Sequence, residues 1–238
     1  MPRTLRAIRM RGMPQTADAE NQGGVREARK AANRAAILDA GRRVFIETGY
    51  EACTIRDIVR ESGLSPGTFY NYFESKEAVL GEWIQELAGE VRARVRAARA
   101  AARDPRSFLE DAYRAYFEVF TSDAVTLQMV ARNQNIFRGV VFGADHGGFE
   151  VLTGSETSLP VKGIFEDLET DLQAAIRYGL FPEFPVDLAT YAMVGAGFEI
   201  LVRMAGRADL NSAAAAKFLA ALFVGGLPAT GGAAQSTP

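Results

Sequence analysis

The sequence predicts an all-α protein with a small N-terminal domain and a larger C-terminal helical domain. Apolar residues recur at helical spacing through most of the chain, and convincing strand alternation is absent. Proline, glycine or a capping side chain marks the ends of the helical stretches. With 238 residues, 48% of them hydrophobic, the chain is long enough for one large domain or two modest ones.

The composition excludes several classes of protein. The net charge of −2 is not that of a basic nucleic-acid binder, although residues 1–24 lean positive and residues 86–238 lean negative. The single cysteine, Cys53, excludes an intramolecular disulfide and is interpreted as a small buried hydrophobe in a reducing compartment. No apolar run reaches the roughly 18 residues that span a bilayer, and the N-terminus lacks the apolar region of a secretory signal. We therefore expect a cytoplasmic protein without membrane association.

The N-terminal end is predicted to be disordered up to residue 24. It has no helical periodicity and contains a Gly-Gly pair, and two later methionines leave the true start of the chain open. A helix is predicted from about Glu27 to Thr48, because its apolar residues recur at helical spacing. Gly49 is expected to end this helix as a left-handed cap.

Two short helices are predicted next, at about 54–62 and 66–72. The first opens with the spacing of a capping box, and Gly63 ends it. Ser65 is expected to cap the second, with Pro66 at the first helical position, where a missing N–H costs little. Two short helices joined by a turn that contains glycine are typical of a helix-turn-helix. The second helix of such a unit fits a major groove roughly 12 Å wide.

A set of residues at fixed spacing runs through this region and into the next helix. Its members are Thr54, Ile58, Val59, Gly63, Ser65, Gly67, Thr68, Tyr70, Tyr72, Phe73, Lys76, Glu77 and Leu80. This pattern closely resembles the DNA-binding signature of the TetR family of transcriptional regulators. The resemblance covers residues 30–82, while the C-terminal part agrees with the family only in length and helicity. The departures are small: Ser62 stands where alanine is frequent, and Pro66 removes one N–H donor.

The resemblance implies which residues bind DNA. Thr54, Tyr72 and Lys76 should contact phosphates, and Arg56 is a further candidate for a phosphate or base contact. An N-cap role for Thr54 and a packing role for Tyr72 are alternatives. The amide of Asn71 suits an adenine edge, and the methyl group of Thr68 suits a thymine. The groove-facing surface should comprise Ser65, Pro66, Gly67, Thr68, Tyr70 and Asn71.

The third helix of this unit is predicted to continue as a connector over 76–103. Further helices are predicted at 105–121, 123–138, 161–179, 186–206 and 211–224. Residues 139–160, which include His146, are predicted to form a long loop. The resulting divisions are a DNA-binding domain at 25–82, a ligand-binding and dimerisation domain at 83–225 and a disordered tail at 226–238.

Two charged stretches are interpreted as solvated faces. One is the second half of the connector helix, and the other is the start of the 161–179 helix, where acidic side chains complement the helix dipole. The stretches comprise Arg92, Arg94, Arg96 and Arg99, and Glu166, Asp167, Glu169 and Asp171.

The C-terminal part is rich in aromatic residues. A filled helical core explains them most simply, but the resemblance to TetR regulators raises the alternative of an apolar pocket between helices. Arg132 and Asn133 would then be polar groups that orient a small, largely apolar or aromatic effector. The candidate ligand-binding residues are Tyr113, Phe117, Phe120, Met129, Arg132, Asn133, Phe137, Phe165, Tyr178 and Tyr191.

The last two helices are rich in small residues, which allow helices to approach closely. In the TetR family the corresponding pair meets its two-fold mate in a four-helix bundle. A homodimer is also what operator DNA requires, because two recognition helices must reach half-sites about one helical turn apart. The small residues are Ala189, Ala192, Gly195, Ala196, Ala213–Ala216, Ala220 and Ala221.

No catalytic constellation is recognisable in the sequence. It lacks a phosphate-binding glycine loop, a nucleophile elbow and an HExxH pattern, and His146 with one distant cysteine makes neither a zinc site nor a catalytic pair. We therefore predict no enzymatic activity, no cofactor and no metal.

The predicted function is a ligand-responsive repressor. It should bind a pseudo-palindromic double-stranded operator as a homodimer and be released by its ligand. The alternative is a helical small-molecule sensor or carrier without specific DNA binding, which the near-neutral charge of residues 25–85 favours. The ligand, the operator, the regulated genes and the choice between repression and activation stay open.

Overall fold

The computed structural model describes residues 16–142, 162–207 and 209–230, and within these ranges all regular structure is helical. His146 and most of the predicted 139–160 loop lie outside them. The helices are α1 (Thr16–Thr48), α2 (Ile55–Ser62), α3 (Pro66–Tyr70), α4 (Lys76–Ala101), α5 (Pro105–Thr121), α6 (Ala124–Arg132), α7 (Gln134–Phe142), α8 (Lys162–Arg177), α9 (Val186–Met204) and α10 (Ser212–Thr230).

The first three helices and the start of α4 pack around a common apolar centre. Ile58, Phe69 and Leu80 are fully buried there, and Phe73 is nearly so, as their helical spacing predicts. Ile55, Val59 and Leu64 are partly buried and pack against the same centre. This packing holds the short helix α3 in place, because a five-residue helix has too few internal hydrogen bonds to be stable alone.

The larger part of the molecule is built around α5, which packs against both α4 and α10. Phe117 of α5, Leu201 of α9 and Leu219 of α10 are almost fully buried between these helices. The buried side chains form one continuous cluster from α1 to α10. The long helix α4 therefore belongs to both parts, and the two parts share apolar packing.

Four predicted element boundaries are corrected by the structure. Helix α1 begins at Thr16, so residues 16–24 are helical rather than disordered; alanines and a glutamate there favour a helix. Helix α3 ends at Tyr70 rather than at residue 72, because its last turn closes with shorter i→i+3 bonds. Helix α7 extends to Phe142, into the predicted loop, and α10 extends to Thr230, into the predicted tail.

The predicted helix at 123–138 is two helices that meet at Asn133. The backbone of Asn133 leaves the helical region, with φ −110° and ψ 29°. Its side-chain amide donates to the carbonyl oxygen of Met129 at 2.9 Å. Asparagine competes for backbone partners in this way, which ends α6 and lets α7 start in a new direction.

The approach of α1 to α4 depends on Gly41. A Cβ atom at this position would lie 2.7 Å from Cγ1 of Val79, a stiff β-branched side chain that is buried. Two ion pairs, Arg34–Glu82 and Arg42–Glu86, also join these helices.

We therefore expect Gly41→Ala to lower the free energy of unfolding by about 1–3 kcal/mol, since the two helices must separate. Gly89→Ala in α4 is the matched control, because no atom lies within 4 Å of its Cβ position. The control should be neutral or stabilising by up to about 1 kcal/mol. Urea denaturation measures both, and equal stabilities of the two variants would contradict the close approach.

Candidate functional site

Helix α2 begins with a complete capping box at Thr54 and Asp57. The Thr54 hydroxyl accepts from the Asp57 N–H at 3.3 Å and donates to the Asp57 carboxylate at 2.6 Å. The carboxylate in turn accepts from the Thr54 N–H at 3.1 Å, and these hydrogen bonds lower the pKa of Asp57. Because the Thr54 hydroxyl proton is already donated, the geometry favours the capping role of Thr54 over a phosphate contact.

Helix α3 has one anchored side and one exposed side. Ser65 caps its start and accepts from the Thr68 N–H at 3.1 Å, with Pro66 following as the sequence predicts. Phe69 is 0% exposed, whereas the neighbouring Tyr70 is 59% exposed. The groove-facing candidates other than the half-buried Thr68 are all exposed: Ser65, Pro66, Gly67, Tyr70 and Asn71.

Lys76 is less free than its predicted role requires. Its ammonium donates to the carbonyl oxygens of Tyr50 at 2.9 Å and of Cys53 at 3.0 Å, and lies 4.3 Å from the centre of the Tyr50 ring. It therefore fastens the α1–α2 loop to α4, and only one of its three N–H donors remains for a phosphate. The Tyr72 hydroxyl accepts a hydrogen bond from the Asn33 amide at 3.3 Å, which leaves its own O–H available to donate to a phosphate.

The loop between α1 and α2 is anchored by two buried side chains, those of Tyr50 and Cys53. The Tyr50 hydroxyl donates to the Glu77 carboxylate at 2.6 Å. Cys53 is 2% exposed, and burial raises the pKa of its thiol to about 11, so the thiol stays protonated at neutral pH. These contacts agree with the interpretation of Cys53 as a small buried hydrophobe.

Asn133 connects this loop to the C-terminal helices. Its side-chain oxygen accepts from the Tyr50 N–H at 2.8 Å, and its amide donates to the Met129 carbonyl oxygen and, at 3.4 Å, to that of Phe45. Asn133 is 5% exposed. Its polar atoms are thus used to join the end of α1 to the α6–α7 junction.

A cavity of about 100 Å³ lies between α4, α5, α8 and α9. A second cavity of about 60 Å³ shares Val91, Tyr116 and Phe198 with it and continues towards α6 and α7. Gly197 lies against this space, since a Cβ there would be 3.2 Å from Cε1 of Tyr113. The residues that line the first cavity are Val91, Arg92, Val95, Arg96, Arg99, Leu109, Ala112, Tyr113, Tyr116, Val141, Ile164, Asp167, Leu168, Met193, Val194, Gly197 and Phe198.

Ion pairs between α4 and α8 border the first cavity. Arg92 and Arg96 bind the two carboxylate oxygens of Asp167 at 2.8 and 2.9 Å, and Arg99 binds Asp171 at 3.1 Å. Hydrogen bonding from Arg92 lowers the pKa of Asp167. The arginine and aspartate stretches predicted to be separate solvated faces are therefore paired with each other.

An apolar face covers the outside of α9 and α10. Leu188 and Tyr191 of α9, and Phe218 and Leu222 of α10, are each more than half exposed. Exposed large apolar side chains clustered in this way mark an interaction surface. The small residues divide between the two sides: Ala189, Ala215, Ala216 and Ala220 are buried in the core, whereas Ala192, Ala213, Ala214 and Ala221 are exposed.

Comparison with known proteins agrees with this arrangement. Residues 37–82 match the family described as "Bacterial regulatory proteins, tetR family". The repressor DhaR of Mycobacterium sp. (strain GP1) is 26% identical over 211 residues, 82% of this chain and 92% of DhaR.

The helix-turn-helix domain of the chain, residues 37–82, is that of the TetR family. The regulator BetI of Rhizobium meliloti (strain 1021) is 41% identical over 73 residues, 31% of this chain and 36% of BetI. The structure of FadR from Bacillus subtilis in complex with stearoyl-CoA has a TM-score of 0.65 at 21% identity, and the match covers 81% of this chain and 98% of FadR. These relatives are transcriptional regulators, so the predictions of an all-α TetR fold and of a protein that is not an enzyme are confirmed.

Three of the candidate ligand residues line the two cavities. Tyr113 lines the first cavity, and its hydroxyl donates to the Met193 carbonyl oxygen at 2.9 Å. Phe120 and Phe137 line the second. Tyr116, which is not among the predicted ligand-binding residues, lines both cavities.

The other candidates lie outside these two cavities. Phe117 and Met129 are fully buried in the core, and Asn133 joins the two parts of the molecule. Arg132 is exposed beside Gly49. Phe165 packs against Phe142 and Tyr191, while Tyr191 is 58% and Tyr178 88% exposed.

Among the residues that the structure describes, no group of histidine, cysteine and acidic side chains is arranged to hold a metal. In the same part of the chain, no helix combines the length and the apolar character that a membrane span needs.

Asn133→Ala is expected to lower the free energy of unfolding by about 1–3 kcal/mol, because the buried Tyr50 N–H loses its acceptor. The same substitution at the exposed neighbour Asn135 is the control and should change stability by less than about 0.5 kcal/mol. Chemical denaturation followed by circular dichroism measures both. Equal effects at the two positions would contradict the role of Asn133.

Proposed function

We propose that the protein represses transcription as a homodimer that binds a pseudo-palindromic operator and leaves it when a small, largely apolar ligand binds. The exposed side of α3 carries this proposal: Phe69 fixes the helix, and Tyr70 and its neighbours are left free for DNA. A cytoplasmic location follows from this role, because the operator lies there.

The proposed DNA-binding domain comprises residues 25–82, and α3 is its recognition helix. Tyr70 and Asn71 are placed to reach base edges, while Arg56, which is exposed on the first turn of α2, suits a phosphate. Tyr72 offers its hydroxyl proton to a phosphate, and Lys76 its remaining N–H. Thr54 contributes by fixing the start of α2.

The apolar face of α9 and α10 is the proposed dimer surface. A two-fold axis through this face would bring the same residues of both protomers together, which is the arrangement of an isologous interface. It also supports DNA binding, since a two-fold dimer presents two α3 helices to two half-sites.

The proposed effector site is the cavity within residues 83–225. Its walls are mainly apolar, and α4 runs from these walls to the helix-turn-helix. FadR from Bacillus subtilis, which shares the fold, was crystallised with stearoyl-CoA, a ligand with a long apolar chain. A ligand that moves α4 would change the separation of the two recognition helices, a coupling of typically about 1–3 kcal/mol.

Selection from a random DNA library, followed by a gel shift at physiological ionic strength, tests this function. We expect enrichment of a two-fold symmetric sequence that binds about a thousandfold or more tighter than scrambled DNA. Binding without sequence preference would instead support the alternative of a sensor or carrier that does not recognise DNA.

A further inference from the structure

We propose that the cavity binds an amphiphilic carboxylate, with the anionic head held by Arg92, Arg96 and Arg99 in competition with Asp167 and Asp171. The apolar body of the ligand then occupies the first cavity and the neighbouring second one, which shares Val91, Tyr116 and Phe198 with it. This inference deepens the proposed function, since it takes the cavity to be the effector site and names the class of molecule that enters it.

The cavity has one charged end and an apolar remainder. The charged lining residues are Arg92, Arg96, Arg99 and Asp167, and the others are apolar apart from two tyrosines. The Tyr113 hydroxyl is bonded to Met193, whereas the Tyr116 hydroxyl has no hydrogen-bond partner among the described residues. Burial raises the pKa of Tyr116, so its hydroxyl is a neutral donor on a residue that lines both cavities. This polarity matches a molecule with an ionic head and an apolar body.

Arg99 has unused binding capacity. Its side chain is 13% exposed and makes one ion pair, from Nη1 to Asp171. Its Nε is buried and finds no hydrogen-bond partner in the described parts of the chain. A guanidinium has five donors in a planar fork, and a carboxylate binds such a fork with two parallel hydrogen bonds. A ligand carboxylate would satisfy donors that the protein leaves unpaired.

The arginines that line the first cavity outnumber the carboxylates that pair with them. The three guanidiniums are paired with two carboxylates, and Arg92 and Arg96 share Asp167. Glu166, which is exposed, also acts on Arg92 electrostatically. The backbone of α8 accommodates Arg92 closely, since a Cβ on Gly163 would lie 2.6 Å from its Cζ. A ligand carboxylate can therefore compete with Asp167 for the guanidiniums of Arg92 and Arg96, which share that single carboxylate.

Competition of this kind would act on α4. The pairs with Asp167 and Asp171 join the C-terminal half of α4 to α8, and the N-terminal end of α4 holds the α1–α2 loop through Lys76. A ligand head that displaces Asp167 frees α4 from α8. The site of the anionic head is thus placed where binding would alter the position of the helix-turn-helix.

Octanoate, octan-1-ol and octylamine test the inference, because they share an apolar chain and differ in the head. Trp83, the only tryptophan of the chain, reports binding by fluorescence, since its ring centre lies 5.6 Å from that of Phe137, which lines the second cavity. Isothermal titration calorimetry on the full-length protein, without DNA, gives the affinities. We expect octanoate to bind about tenfold or more tighter than octan-1-ol, and octylamine to bind more weakly than both.

Two variants should shift this preference in opposite directions. Arg99→Met should abolish the preference for octanoate over octan-1-ol. Asp167→Asn should tighten octanoate binding about threefold or more while octan-1-ol is unchanged, because Arg92 and Arg96 lose their competing anion. Arg94→Met is the matched control, since Arg94 lies on the same helix in an exposed pair with Glu90. Circular dichroism shows whether each variant is folded. If Arg99→Met does not fold, the effect of Asp167→Asn on octanoate binding remains as the test.

Equal affinity for octanoate and octan-1-ol, no binding of octanoate, or weaker octanoate binding by folded Asp167→Asn would each overturn the inference. A failure of the proposed function shows elsewhere, as a lack of sequence-specific DNA binding in the gel shift. The two assays share no component except the protein, so either claim can fail without the other.

Discussion

Tyr70→Ala is expected to weaken binding to the selected operator about tenfold or more, which corresponds to a loss of about 1–3 kcal/mol for a residue that touches a base or phosphate. Its thermal stability should stay close to that of the parent protein, because the ring is 59% exposed. The two measurements are a gel shift at fixed salt and thermal unfolding followed by circular dichroism. Affinity should fall although the fold is intact.

Phe69→Ala is the natural counterpart, one residue away in the same helix. Phe69 is 0% exposed and packs against Phe73, with ring centres 6.2 Å apart. Its removal should lower stability by about 3–5 kcal/mol, because the site cannot collapse fully around the space that the ring leaves. An unchanged operator affinity for Tyr70→Ala would show that this side of α3 does not face DNA.

Phe218→Glu combined with Leu222→Glu is expected to convert the proposed homodimer to a monomer. Both side chains lie on the apolar face of α10 and are more than half exposed in the single chain. A two-fold axis through this face would bury two carboxylates from each protomer without partners, at a cost of several kcal/mol. Operator affinity should fall about a hundredfold or more, because a monomer holds one half-site at a time.

Tyr178→Glu is the matched control for this variant. Tyr178 is an aromatic residue with 88% exposure that directly follows α8 and belongs to neither α9 nor α10. It should remain dimeric by sedimentation and bind the operator like the parent protein. A double variant that stays dimeric would place the two-fold interface on another surface.

The helix-turn-helix could be predicted in detail because its signals are local. The capping box of Thr54 and Asp57, the break at Gly63 and the cap at Ser65 involve residues at most a few positions apart. The same holds for the start of α5, where Asp104 caps the helix at the predicted position. Periodic burial then separates Phe69 from Tyr70 without further information.

Contacts between distant residues were not predictable from local patterns. The break between α6 and α7 depends on Asn133 meeting the Tyr50 N–H, 83 positions away along the chain. The hydrogen bonds of Lys76 were not predictable for the same reason. The carbonyl oxygens that accept from its ammonium belong to the α1–α2 loop, which precedes the helix-turn-helix. The sequence predicts that Lys76 contacts a phosphate, and only the fold shows that two of its three N–H donors are already used.

The sequence predicted an apolar pocket between the C-terminal helices, but it identified only some of the residues that line it. Aromatic content does not reveal which face of a helix each ring occupies, so Tyr113 was identified, Tyr116 was omitted and the exposed Tyr178 was included. One signal was available: Arg92, Arg96 and Arg99 follow helical spacing on α4, and Asp167 and Asp171 lie four positions apart on α8. Matching stripes of opposite charge indicate paired helices.

Hydroxyl-radical footprinting on the selected operator tests the central claim most directly, because it locates each recognition helix on the duplex. Two α3 helices of one dimer should protect two half-sites on one face of the DNA, with centres about 10 base pairs or a small multiple of that apart. At a protein concentration that just saturates the operator with the parent protein, Tyr70→Ala should show weaker protection of both regions together. A single protected region per bound protein, or protection that does not change in this variant, would contradict the account.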